Sequence, residues 1–213
     1  MNGRLVTYVL CTMSHLATWQ GKPRVGIDHA IAAQAWATQI SNPRAEAYAA
    51  DVAARAFAAD AQADHCWRAL DTEQAKLATI DQHAPGLPLW YFYDASFYWA
   101  TKSNCALQLG QADIALDAVT TSLDMFDPTN LHNYAFTVLF RAEAFIQQKH
   151  IAEASQIIGD VATQAAVNTT RRLDQRVADL RTALTPWQRT KAVRQLDDVL
   201  TTYRRSVKGS GNT

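Results

Sequence analysis

Four short breaks in this chain carry the same small residues at the same offsets, and no other feature constrains the fold as tightly. The breaks fall at Gly21, Ala61, Gly110 and Lys149. Seven residues before each stand Ser14, Ala54, Ser103 and Ala142, all small. Four before stand Ala17, Phe57, Ala106 and Phe145, and five after stand Gly26, Cys66, Ala115 and Ala154. Small side chains at fixed distances on both sides of a tight turn let two helices approach closely across it. The pattern therefore predicts antiparallel helix pairs, repeated. The intervals between breaks are 40, 49 and 39 residues, and the extra length of the second falls in a Pro/Gly-containing loop at 81–89.

Composition agrees with an all-α reading. Alanine is abundant, and the chain holds only 8 glycines and 6 prolines. Alanine has the best helix propensity, and glycine and proline the worst. An apolar share of 48% suffices for a sizeable core. Ser41, Asn42 and Pro43 supply a cap and a first-turn proline, and further breaks stand at 127–130 and at Thr185 and Pro186. Recurrence at about this period is the signature of a helical repeat array. The order of large, small and aromatic positions resembles the tetratricopeptide repeat, with Trp99 at the place of that repeat's early tryptophan. The expected fold is a tetratricopeptide-like α-solenoid with a right-handed superhelix, as one domain over 1–206. Its repeats cover roughly 4–40, 43–80, 90–126 and 130–167, with a polar capping pair at 169–206 and a disordered tail at 207–213.

In such a stack the first helices of the pairs line a concave face. Thirteen residues before each break stand Tyr8, Tyr48, Phe97 and Phe136, an aromatic column. Cys11, Asp51, Ala100 and Leu139 follow one turn on, and then His15, Arg55, Asn104 and Glu143. An aromatic ladder beside a polar one suits a peptide or a small amphipathic ligand. The same aromatics would equally serve to wedge neighbouring first helices together. Arg55 and Glu143 weigh toward a ligand-facing column, because a charge is costly to bury unpaired. The candidate groove is thus Tyr8, His15, Tyr48, Asp51, Arg55, Phe97, Asn104, Phe136 and Glu143. A second concentration of aromatics, Trp90, Tyr91, Phe92, Tyr93, Phe97, Tyr98 and Trp99, is either a hot-spot patch or inter-repeat packing.

The formal charge is zero but uneven. From Arg171 onward ten basic residues face four acids, leaving that stretch near +6 and the remainder near −6. This reads as a solvated outer face or as a contact surface for phosphate or an acidic partner. Cys11, Cys66 and Cys105 are odd in number and lack metal or redox spacing, which fits buried free thiols in a reducing cytoplasm. The apolar stretch 5–13 is too short to span a bilayer. No glycine-rich phosphate loop, zinc-protease motif or nucleophile elbow occurs, and the histidines pair with no other metal-ligand type at a recognisable spacing. No catalytic residue, metal or cofactor is expected.

The C-terminal stretch narrows the family. Thr170, Arg171, Arg172, Leu173 and Asp174, then the run 180–187 ending in Thr185, Pro186 and Trp187, then Ala192, Val193, Arg194, Gln195, Leu196 and Asp197, are similar to the end of one group. So are Met13 to Ala17, Arg68 to Asp71, Leu89 to Tyr93 and Leu107 to Gly110. Together they resemble the tetratricopeptide sensor region of actinobacterial XRE-type helix-turn-helix regulators. The DNA-binding domain of that group has no counterpart here, so no direct DNA contact is expected of this chain. The resemblance implies a regulatory sensor in transcriptional control that binds a peptide, small molecule or protein partner, with a homodimer compatible with it. The alternative is a pure scaffold or dimerisation module without a ligand.

Overall fold

The computed structural model describes residues 3–80, 93–126, 131–165 and 170–210. Within them the chain is all-helical: ten α-helices and one short 3-10 turn, with no strand. Two compact units divide it, Met1–Gln111 and Ala112–Thr213.

The first unit holds α1 (Gly3–Trp19), α2 (Pro23–Gln39), α3 (Pro43–Ala59), α4 (Ala63–Leu77) and α5 (Ala95–Gln108). Helix α3 is its axis and packs against all four of the others. Its sequence explains why. Pro43 occupies the first turn, and the Asn42 side chain accepts a hydrogen bond from the Ala45 amide at 3.0 Å. Along the helix, eight alanines, Ala45 included, are fully or almost fully buried, so neighbours approach from every side. Val52, Leu70, Tyr98 and the three cysteines complete this core.

The second unit holds α6 (Ala112–Met125), α7 (Leu131–Gln147), α8 (Ile151–Ala165), α9 (Arg171–Ala183), a 3-10 turn (Thr185–Trp187) and α10 (Lys191–Ser210). Here α7 packs against α6, α8 and α9, and α8 against α10. Leu139, Ile158, Leu173, Leu180, Val193 and Leu196 are among its buried core. Helix α10 runs to Ser210, past the end expected at 206, since no proline interrupts it.

The four break residues share one geometry. Gly21, Ala61, Gly110 and Lys149 have φ of 74°, 57°, 72° and 64°, all in the left-handed region. At each, the amide of the break residue donates three residues back, and the next amide donates five back, to Ala17, Phe57, Ala106 and Phe145. This double hydrogen bond is the Schellman ending, which satisfies helix carbonyls left open at the C-terminus. The next helix begins two residues later in every case. Ser14, Ala54, Ser103 and Ala142 are all 0% exposed, as are Cys66, Ala115 and Ala154. At Gly26 a Cβ would stand 2.2 Å from Thr18 Oγ1 and 3.1 Å from the Ser14 carbonyl oxygen, so α1 and α2 meet there without room for a side chain.

The third pair differs from its expected start at 90. Asp94 caps α5, accepting from the amides of Ser96 at 2.9 Å and Phe97 at 3.3 Å, so the helix begins at Ala95. The loop at 81–89, Trp90, Tyr91 and Phe92, the break at 127–130 and the tail residues 211–213 lie outside the described residues.

Candidate functional site

Helical periodicity places Asp51 and Arg55 one turn apart on α3, the most enclosed helix of the first unit. Asp51 is 1% exposed. A bare carboxylate there would be strongly destabilising, and the local structure supplies its partners. Arg55 Nε donates to Asp51 Oδ2 at 2.9 Å and Arg55 Nη2 to Oδ1 at 3.2 Å. Thr101 of α5, itself fully buried, donates its hydroxyl to Asp51 Oδ1 and accepts from Arg55 Nη2. The three side chains close a ring across two helices. Burial opposes the charge on Arg55, but the charge and hydrogen bonds of Asp51 outweigh it and hold the guanidinium firmly protonated. Arg55 keeps 18% of its side-chain surface open, and its Nη1 has no hydrogen-bond partner among the described residues.

A second polar group lies beside this ring. Glu73 of α4 is fully buried and accepts the Tyr93 hydroxyl proton at Oε1, while Oε2 has no partner among the described residues. Burial, helped by the nearby charge of Asp51, pushes the Glu73 carboxyl well above the usual carboxylate range, although Tyr93 and Arg55 pull the other way. Burial and the neighbouring carboxyls likewise raise the Tyr93 phenol, so Tyr93 stays the donor. Tyr93 is also held from α3: Arg44 Nη1 donates to its backbone carbonyl at 3.1 Å, and its ring meets Tyr48 edge-on at 5.3 Å. Burial, then the charge of Asp51, raises the Tyr48 phenol as well.

The expected groove residues divide between the units. Tyr8, His15, Tyr48, Arg55, Phe97 and Asn104 are all half-buried in the first unit, on α1, α3 and α5. These three helices pack side by side, α1 on α3 and α3 on α5. Asp51 alone of that set is sealed. In the second unit Phe136 and Glu143 of α7 are also half-buried, but helix α9 engages both. The Arg172 guanidinium lies 4.9 Å from the Phe136 ring centre, and Arg176 is ion-paired to Glu143. The charges of Arg55 and Glu143, costly to bury alone, are thus both paired. A cleft of about 470 Å³ in the second unit is lined by Thr120, Arg141, Phe145 and Glu153 among others, and by none of the nine expected residues.

Glu73 and Thr101 did not figure among the expected site residues, and Tyr93 only as one of an aromatic group. A signal for Glu73 existed. It follows Cys66, Ala69 and Leu70 at the spacing of the buried face of α4, where a carboxylate breaks the pattern. Among the described residues no group of three or more His, Cys, Asp or Glu could hold a metal ion, and no helix is long and apolar enough to cross a membrane. No family model, curated protein or solved structure matches the chain.

Proposed function

We propose that this chain is a tetratricopeptide-type sensor or docking module in transcriptional control, binding a partner rather than catalysing a reaction. One observation carries the choice of site. Arg55 is fixed by Asp51 and Thr101, yet its Nη1 donors are uncommitted among the described residues, on a helix that also carries half-buried Tyr48 and packs against α1, with half-buried Tyr8, and α5, with half-buried Phe97 and Asn104. A pre-oriented guanidinium edge favours a planar acceptor such as a carboxylate, and the aromatics favour apolar contact. A peptide presenting a carboxylate or backbone carbonyls meets both requirements. The repeated turn and the side-by-side first helices support the solenoid reading, and the C-terminal resemblance supports the regulatory one.

The test is fluorescence polarisation with a labelled pool of short peptides bearing free C-termini. R55K keeps a positive charge beside Asp51 but removes the fork, and N104A removes a half-buried amide. Saturable binding by the unmodified chain, weakened at least tenfold in both variants while each stays folded by circular dichroism at the assay temperature, supports the site. Equal binding in all three sinks it. In the second unit the engagement of Phe136 and Glu143 by Arg172 and Arg176 favours the scaffold reading for that half.

A further inference from the structure

Helix α1 turns an uncharged apolar seam outward. Leu5, Val9, Leu16 and Trp19 are 52%, 45%, 48% and 66% exposed, and Thr12 is exposed between them. Their spacing is four, three, four, three, that of a helix–helix seam. The Thr12 hydroxyl is turned back to the Tyr8 carbonyl at 2.9 Å, which leaves its methyl to the outside. Met13, 42% exposed, widens the strip. From Leu5 to Trp19 the helix has no Asp, Glu, Lys or Arg.

Solvent is a poor occupant for such a face, since large exposed apolar patches mark interaction sites. Two alternatives are disfavoured by the same charges. A helix adsorbed on a bilayer carries a basic polar face, whereas the other side of α1 is buried against α2 and α3. A foreign charged helix is selected through the positions flanking the seam, and here those are Val6, Tyr8, Met13 and His15, without a permanent charge. A second copy of the same neutral seam meets no repulsion. Run antiparallel, it sets Leu5 against Leu16 and Val9 against Thr12, twice over, with Trp19 at each end.

We propose that α1 pairs with α1 of a second copy about a two-fold axis passing near Leu10 and Cys11, burying Leu5, Val9, Thr12 and Leu16 of both. Aliphatic side chains bury about 60–120 Å² and tryptophan about 150–250 Å² when fully covered. At the exposures found, the four seam residues together with Met13 and Trp19 remove at most roughly 700 Å² of apolar side chain over both copies, below the about 1,200 Å² of a standard specific interface and in the range of weak, transient contacts. The dimer is therefore weak and concentration-dependent. It uses different residues from the proposed ligand site and does not depend on it.

Sedimentation velocity of the full chain, from low micromolar to near-millimolar concentration, tests the pairing. The unmodified chain shifts from monomer to dimer across the range. V9K and T12E, each at an exposed position, stay monomeric alone, with circular dichroism and melting temperature at low concentration unchanged. Mixed in equal amounts they associate again, because antiparallel pairing sets the new lysine of V9K against the new glutamate of T12E. An unmodified chain that stays monomeric throughout overturns the proposal. So does V9K that associates like the parent, or a mixture of folded variants that remains monomeric. If V9K fails to fold, L16K takes its place and is paired with L5E.

Discussion

Burial lifts the Glu73 carboxyl well above the usual carboxylate range, and that has a measurable consequence. Its carboxyl is raised by burial and by Asp51, against the smaller pull of Tyr93 and Arg55. Above the ordinary carboxylate pKa of about 4.3, the unfolded chain has released a proton that the folded chain still holds. The folded state then binds more protons, so stability falls as pH rises through that window. E73Q keeps an acceptor for the Tyr93 hydroxyl and removes the titration. In urea unfolding between about pH 5 and pH 7, the parent should lose up to about 1.4 kcal/mol per pH unit relative to E73Q. Parallel pH curves would mean that Glu73 is ionised in the fold. At this scale the sequence was half legible. Asp51 and Arg55 stood out as charges at regular positions. Their closure into a ring through Thr101 depended on how α5 packs on α3, which local spacing does not encode. Tyr93 joins the cluster through its hydroxyl bond to Glu73 and is held there by Arg44, forty-nine positions away in the chain, for the same reason.

The helix pair is the element that the sequence wrote most plainly, because its turn is decided by local chemistry. All four break residues adopt positive φ, yet two of them are alanine and lysine. A residue with a Cβ in that region is strained by about 1–2 kcal/mol relative to glycine. Glycine gives back about 0.4–1 kcal/mol through its freer unfolded chain. A61G should therefore stabilise by about 0.5–1 kcal/mol and G110A should destabilise by a similar or larger amount, read as opposite shifts in urea midpoint. No atom lies within 4 Å of a Cβ built at Gly110, so the loss there isolates backbone strain from crowding. Shifts of the same sign would show that the two turns are not equivalent. The start of α5 was less legible than its end. Aromatic density around Trp90 suggested a helix opening there, whereas the cap that sets the boundary is the single carboxylate of Asp94. That the expected groove residues stand at partly exposed positions was legible for all but Asp51, which is sealed. Which members meet a neighbouring helix was not, as the arginines of α9 on Phe136 and Glu143 illustrate.

Across the whole chain, the cysteines report on one core. Cys11, Cys66 and Cys105 come from α1, α4 and α5, and all three are free and fully buried in the first unit. Burial, then the charge of Asp51, pushes the Cys11 thiol up to about 12. Its hydrogen bond with Cys66, then burial, raises the Cys105 thiol. The same hydrogen bond lowers the Cys66 thiol, but all three sulfurs are sealed from reagent, so a folded chain should label only when this unit opens. The three thiols should then react slowly and together with an aromatic disulfide reagent, and at once in denaturant. D51A removes the partner of Arg55 and leaves a guanidinium that is mostly enclosed, a change that costs about 3 kcal/mol when one member of a buried pair is lost. Where closing is faster than labelling, the rate follows the open population. Labelling of all three thiols in D51A should accordingly accelerate by on the order of a hundredfold. If Cys105 accelerates while Cys11 and Cys66 do not, the ring of Asp51, Arg55 and Thr101 secures α5 alone. If all three respond, it is the keystone through which α3 holds the entire first unit closed.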